Sequence, residues 1–309
     1  MTSRQRVLTT IAHAEPDRVP FNVRPDALHP ARLRETAGDV DFAEHFGHDI
    51  RFVAIPLPPL PEDVAPRDWT PAPARCDIAA AAEAARALRA RGLAVCGAYV
   101  CGVYEQAKHW LGDEPAMVGP YADPRGFGAL LDEITEWKCA VYGAYVAARV
   151  DIVWIGDDLG TQRSLVMSPE QYRQWYRPRH HLIVDHLRSI RPDVRIAFHC
   201  CGHVTPLIGD LIEIGVDILE AVQSEAMDLA ALKREYGRSI TFWGGIGAQS
   251  ILGGTPDEVR AGVLATLRVM APGGGYIAAP CHTLTPEVPF ENVLALHEAL
   301  QELGVYPIA

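Results

Sequence analysis

Short β-like runs recur along the chain, at residues 19–23, 50–55, 93–100, 151–155, 194–198, 216–219, 240–243 and 276–279. The stretches between most of them carry helical periodicity and predict helices over 78–91, 123–149, 168–190, 256–270 and 289–303. Stop and start signals agree with these bounds. Ser168-Pro169-Glu170 reads as an N-cap followed by a first turn. At the start of the chain Thr2 and Gln5 have capping-box spacing. Val7, Leu8 and Ile11 give the helix that follows an apolar face ending before Pro16. Strand alternating with helix predicts a parallel sheet, and eight such units predict a (β/α)8 TIM barrel with an N-terminal helical extension. A doubly wound open sheet is the alternative. One segment departs from this rhythm: residues 56–73 contain seven prolines and predict an extended loop, either a lid over the barrel mouth or a plain connection. No composition shift marks a domain boundary, so residues 1–309 read as one domain.

The composition of the 309-residue chain narrows its partners. With 49% hydrophobic and 22% charged residues it is a globular sequence, and a net charge of -11 opposes a nucleic-acid phosphate backbone. The opening residues have no continuous apolar stretch of the signal-peptide kind, and no segment is apolar enough to cross a membrane, which reads as a cytoplasmic protein. Seven cysteines, an odd number, argue for reduced thiols or metal ligands over a disulfide framework. Cys96 and Cys139 read as small buried hydrophobes.

In a barrel the chemistry lies where strands end. Polar and sulfur-bearing groups follow most of the predicted strands: Arg24 after the first, Asp157, Asp158 and Gln162 in "GDDLGTQ" after the fourth, and His199, Cys200 and Cys201 after the fifth. Glu220 and Gln223 follow the sixth, and Cys281 and His282 the eighth. His199 and Cys201 are two apart and fall on one side of an extended segment, with Cys200 on the other. A His nitrogen and two Cys thiolates form a zinc donor set that leaves a position for substrate. Paired carboxylates such as Asp157 and Asp158 can shift one another's pKa and serve as acid or base, although an N-cap role suits either. His180 and His181, in the long helix after "YRPR", are expected on its solvated face.

The stretch "FHCCGHVTPLIGDLIEIGVDILEAVQ", with "GDDLGTQ" before it and "GGGYIAAPCHTLTPEVPFENVLALHEAL" after it, resembles the uroporphyrinogen decarboxylase superfamily, and more narrowly its zinc-dependent methyltransferase branch. The opening "SRQRVLTTIAHAEPDRVPF" fits the same resemblance. In that branch a His-x-Cys and a distant Cys hold zinc, which implies His199, Cys201 and Cys281 as metal ligands. Cobalamin-independent methionine synthase is similar and adds a carboxylate from the intervening strand, which directs attention to Glu220, as a fourth ligand or as an acid paired with Arg. The resemblance implies a substrate- or metal-proximal role for the "GDDLGTQ" loop; Asp157, Asp158 and Glu220 are the candidate catalytic residues, and Arg24, Gln162, Gln223 and His282 the candidate substrate contacts. It further implies a thiol acceptor and a methyl donor that is a methylated corrinoid protein, a folate or a small methylated compound. The sequence has no Asp-x-His-x-x-Gly segment, so a corrinoid would be carried by a separate protein. A homodimer is the commonest assembly for such enzymes. The decarboxylases use an Arg-rich N-terminal segment to hold a polyanionic tetrapyrrole, and the corresponding stretch here offers only Arg18 and Arg24. A metal-independent decarboxylase or lyase using Arg24, Asp157 or Asp158 on a small carboxylated substrate is the runner-up, and a non-catalytic zinc-binding barrel the third reading.

Overall fold

The computed structural model describes every residue of 1–309 except Tyr99, which lies within the predicted run 93–100. Seven parallel strands form one sheet in sequence order: β1 (Ile50–Val53), β2 (Ala94–Gly97), β3 (Ile152–Gly156), β4 (Arg195–His199), β5 (Ile218–Val222), β6 (Thr241–Ile246) and β7 (Tyr276–Pro280). Helices follow the strands, and the whole is an α/β TIM-barrel-like fold.

The run 19–23 differs from expectation. It is not a regular strand: Phe21 makes an isolated parallel bridge to Ala278 of β7, and its carbonyl accepts from Asp49 N–H at the head of β1. Pro20 has no N–H to give a ladder, so only its carbonyl takes part, accepting from Ala278 N–H. This irregular segment occupies the eighth position between β7 and β1. Buried Asp49 anchors it, accepting from Arg6 Nη1 at 2.6 Å, from both Arg18 amino groups at 2.7 and 3.0 Å, and from Phe21 N–H at 3.0 Å.

Alternate positions point into the barrel. Ile50, Ala94, Cys96, Ile152, Trp154, Ala197, Ile218, Trp243, Ile277 and Ala279 form one interior cluster, and Val7 and Ile11 of the helix Ser3–Ile11 join it from below. The capping box predicted for that helix is present, with Thr2 accepting from Gln5 N–H. The opposite parity packs against the outer helices in the larger core.

The helix predicted over 168–190 is two helices, Pro169–Trp175 and Arg177–Ile190. Pro178 removes a backbone donor and crowds the preceding turn, which breaks the run. His180 is buried on the inward face of the second helix with Ile183, Val184 and Leu187, whereas His181 is exposed. The expectation that both are solvated is therefore corrected for His180: its spacing to those three apolar residues is that of one helix face. Of the Pro-rich stretch 56–73, Pro66–Asp68 forms a single 3-10 turn and the rest is irregular.

Beneath the β1 edge, His297 Nδ1–H donates to Val293 O at 2.7 Å, so its Nε2 accepts from His48 Nε2–H at 2.9 Å. Burial pushes His297 down to about 3 from 6.5. The unfolded chain takes up this proton below pH 6.5 and the folded chain does not, so stability falls as pH drops from 6.5 toward 3. Urea titrations across that window are expected to show the fall, and His297→Gln to show a shallower one. Asp49→Ala removes one of the two carboxylates that hold buried Arg6 and the carboxylate that holds half-buried Arg18, and is expected to lower the unfolding free energy by about 3 kcal/mol in the same assay.

Candidate metal centre

The inward rows of β3, β4, β5 and β7 run up to and beyond the strand ends. Ala197 leads to His199 and Cys201, Ile218 to Glu220, Trp154 to Asp158, and Ile277 and Ala279 to Cys281. Period-two alternation thus directs all these groups to the mouth of the barrel, on top of its apolar plug. Asp157 and Cys200 have the opposite parity and turn outward under the helices.

His199 is the centre of the arrangement. Its Nδ1 lies 2.5 Å from Glu220 Oε2, and Glu220 Oε1 accepts from Arg24 Nη2 at 3.2 Å. Both carboxylate oxygens of buried Glu220 are therefore committed, and its position fixes the imidazole with Nε2 turned the other way. On that side stand Cys201 Sγ at 3.5 Å and Asp158 Oδ1 at 3.4 Å. One donor atom from each of Asp158, His199 and Cys201 lies within 4.8 Å of the others. Burial opposes the charged imidazolium, but Glu220 and Cys201 outweigh it and hold His199 well above the usual imidazole range.

Two glycines permit this approach. A Cβ on Gly160 would lie 2.5 Å from Cys201 O, and one on Gly202, at φ +79°, 2.5 Å from Thr161 O. The loops after β3 and β4 are pressed together only because neither residue has a side chain. Asp158 Oδ1 then accepts from Cys201 N–H at 2.8 Å. Gln223 accepts from Gly202 N–H at 2.8 Å and donates to Gln162 at 3.4 Å, so both glutamines brace this rim.

Asp157 is wholly buried and accepts from Tyr104 N–H, Glu105 N–H and His180 Nε2 at 2.9, 2.8 and 2.8 Å. It caps the helix Val103–Leu111, while Asp158, with 43% of its side chain exposed, faces the mouth. Cys200 is buried with Leu159 N–H directed at its sulfur. The Cys281 thiol lies outside the three-donor group and donates to Val222 O at 3.1 Å, with Ser224 Oγ at 3.8 Å; burial pushes it up to about 11. The Arg24 guanidinium stacks 4.7 Å over Trp154. His282 is exposed and contacts its neighbour's carbonyl.

Sequence reasoning missed two groups. His180 supports Asp157, and its helical spacing was the available signal. Glu225 was not singled out at all: it accepts from Gln249 N–H, Ser250 N–H and Ser250 Oγ, and its carboxylate fills the space beside Gly247.

The family model for uroporphyrinogen decarboxylase (URO-D) matches residues 99–303. The chain belongs to the uroporphyrinogen decarboxylase family. Within the family it is similar to proteins of two activities. The methylcobamide:CoM methyltransferase MtaA of Methanosarcina barkeri is 28% identical over 177 residues, covering 57% of this chain and 49% of the relative. A uroporphyrinogen decarboxylase of Coxiella burnetii is 26% identical over 194 residues, covering 60% and 50%. The chain thus spans about half the length of the curated relatives it matches. A methyltransferase from Methanosarcina mazei shares the fold with a TM-score of 0.73 at 20% identity, covering 98% of this chain and 99% of the other. Among the described residues no helix is long and apolar enough to cross a membrane.

The two aspartates of this URO-D loop separate by experiment. Asp157→Ala strands two backbone donors and a buried histidine and is expected to cost about 3 kcal/mol of stability. Asp158→Ala, at the open mouth, is expected to change it by less than about 1 kcal/mol. Chemical denaturation of both variants checks this.

Proposed function

We propose that the chain is a zinc-dependent methyltransferase that moves a methyl group from a methylated corrinoid protein, a folate or a small methylated compound to a thiol. The observation that carries this reading is the Glu220–His199 pair, which leaves Nε2 facing Cys201 and Asp158. A carboxylate behind a histidine that presents its other nitrogen to sulfur and oxygen donors is the usual support for a metal-ligating imidazole. The donor set fits zinc.

His199 and Cys201 hold the metal in this reading. Cys281, on the same inward row, is the third ligand once its thiol turns from the Val222 carbonyl. Bound zinc supplies the positive charge that keeps a thiol ionised near neutral pH, and a thiolate is the nucleophile. Asp158, beside His199 Nε2 and the Cys201 N–H, would take up the proton that the acceptor thiol releases and pass it to solvent. The acceptor sulfur bonds to the methyl carbon, and the donor keeps the electron pair of the bond that breaks. Arg24 holds the Glu220 side chain in position behind the imidazole, and Gln162 and Gln223 keep the rim in place around the acceptor.

The runner-up, a metal-independent decarboxylase or lyase acting on a small carboxylated substrate, has decarboxylases among the curated relatives in its favour. The N-terminal arginines argue against it: Arg18 is bound to Asp49 and Arg24 to Glu220, so neither is uncommitted. A corrinoid-carrying partner protein belongs to the methyltransferase reading.

Metal content of protein purified without added metal is expected to be about one zinc per chain, lost in Cys201→Ser and Cys281→Ser. Glu220→Gln is expected to keep its fold while zinc affinity drops about 10–100-fold. No zinc uptake by the reduced parent protein would remove the basis of the proposal. Zinc retained without thiol methylation from any of the three donor classes would favour a binding protein. Retention of zinc in Cys281→Ser but not in Asp158→Ala would give the third position to the aspartate.

A further inference from the structure

The opposite end of the barrel carries a concentration of charge that this chemistry does not use. Arg4, Arg89, Arg149, Arg191 and Arg195 line one cavity of about 360 Å³ with Asp151 and Asp193. In a chain of net charge -11, five guanidiniums against two carboxylates is a local reversal of sign. The residues come from different elements. Arg4 lies in the first helix, Arg89 at the end of the helix Arg75–Ala90, and Arg149 just past the helix Pro124–Ala147. Arg191 follows Arg177–Ile190, and Arg195 opens β4. His199 ends the same strand, which puts the cavity roughly 13 Å from the metal centre at about 3.3 Å per residue.

Existing partners do not balance the cluster. Arg4 pairs with Asp151 at 2.9 Å, and Asp151 also accepts from Val95 N–H; Arg195 pairs with Asp217 at 3.2 Å. Arg89 and Arg191 each direct one amino group to a carbonyl of the turn at Arg149 and Val150. Buried Arg191 Nε has no hydrogen-bond partner, and Asp193 approaches it only to 3.5 Å. Among the described residues neither Arg89 nor Arg149 has a carboxylate within ion-pair distance. Burial lowers the Arg191 pKa; Asp193 and Asp151 oppose the shift, and the smaller effects of Arg149 and Arg89 add to it. Arg149 also holds a left-handed φ of 65°, a conformation that is cheaper for Gly or Asn.

Arginines that cap helix C-termini account for the carbonyl contacts but not for two guanidiniums without a carboxylate at ion-pair distance among the described residues. Guanidinium forks match the oxygens of phosphate, and several together neutralise its two charges. We propose that this cavity is a binding site for a small phosphorylated molecule, with the phosphate group held by Arg89, Arg149 and Arg191. The cavity exceeds a bare phosphate, which leaves room for the organic part of a phosphomonoester or diphosphate.

The test is thermal unfolding and calorimetric titration of the full chain with inorganic phosphate, ADP and, as a carboxylate control, citrate, each at matched ionic strength. Phosphate or ADP is expected to raise the Tm and to titrate as one site, since a ligand that binds only the folded state stabilises it. Arg149→Gln and Arg89→Gln are each expected to weaken binding about tenfold, the loss of one charge-assisted contact. Arg238→Gln, an exposed arginine outside the cavity, should leave it unchanged. Arg149 makes no side-chain hydrogen bond that its loss would break, so that variant keeps its fold. Tighter binding of ADP than of phosphate identifies an organic phosphate, and equal binding identifies the free anion. No saturable binding, citrate binding as tightly as either, or equal weakening in Arg238→Gln would overturn the proposal. Zinc content is read in parallel and is expected to be the same in all three variants.

Discussion

The barrel depends on closing a sheet that has only seven strands. The space between β7 and β1 is filled by a segment that cannot form a full ladder, because Pro20 lacks the donor that a strand needs. Asp49 compensates: its carboxylate gathers Arg6, Arg18 and the Phe21 N–H, so that the first helix, the closing segment and β1 meet at one buried charge. Such a hub is destabilising when half is removed and stable when complete, because each buried charge has lost its water. Arg24 emerges from this segment directly above Trp154, and through Arg24 the closure reaches Glu220 and His199.

Strand parity then decides which residues meet. Inside the barrel, aromatic and aliphatic side chains fill the lower layers, and the next inward positions on β3, β4, β5 and β7 bear Asp158, His199 and Cys201, Glu220, and Cys281. The apolar plug beneath them lowers the local dielectric and strengthens every charge contact above it. The neighbouring residues Asp157 and Cys200, one position away, serve the packing of helices on the sheet. Two adjacent aspartates and two adjacent cysteines thus have separate uses, and the reason is the two-residue repeat of a strand.

Similarity to both a methyltransferase and decarboxylases is what a family built on one barrel allows, since function follows the groups at the mouth and not the scaffold. Here those groups are soft and include a supported imidazole, and the basic side chains nearby are already paired. The net negative charge does not extend evenly over the molecule. At the far end of the strands the ends of several helices and the start of β4 bring arginines together, so the two faces of the barrel offer opposite chemistry.

Alternation of strand-like and helical runs determined the barrel, and the "FHCC" and "GDDLGTQ" segments marked the rim where His199, Cys201 and Asp158 gather. The pairing of His199 with Cys201 followed from local spacing, because two residues apart in an extended segment share a side. Pro20 and Pro178 were local signals for the irregular first strand and the divided helix, since each lacks the backbone donor that a ladder or a helix interior needs. Local pattern could not assign Glu220 to the back of His199 and Asp158 to its front, or bury His180 on Asp157. Those contacts join residues 21 to 41 positions apart, and only the packed sheet and helices bring them within reach. The arginine cavity is the extreme case, since its five members lie on separate elements and share no motif. What the chain encodes locally is parity and periodicity; which groups become partners is decided by the register and closure of the barrel.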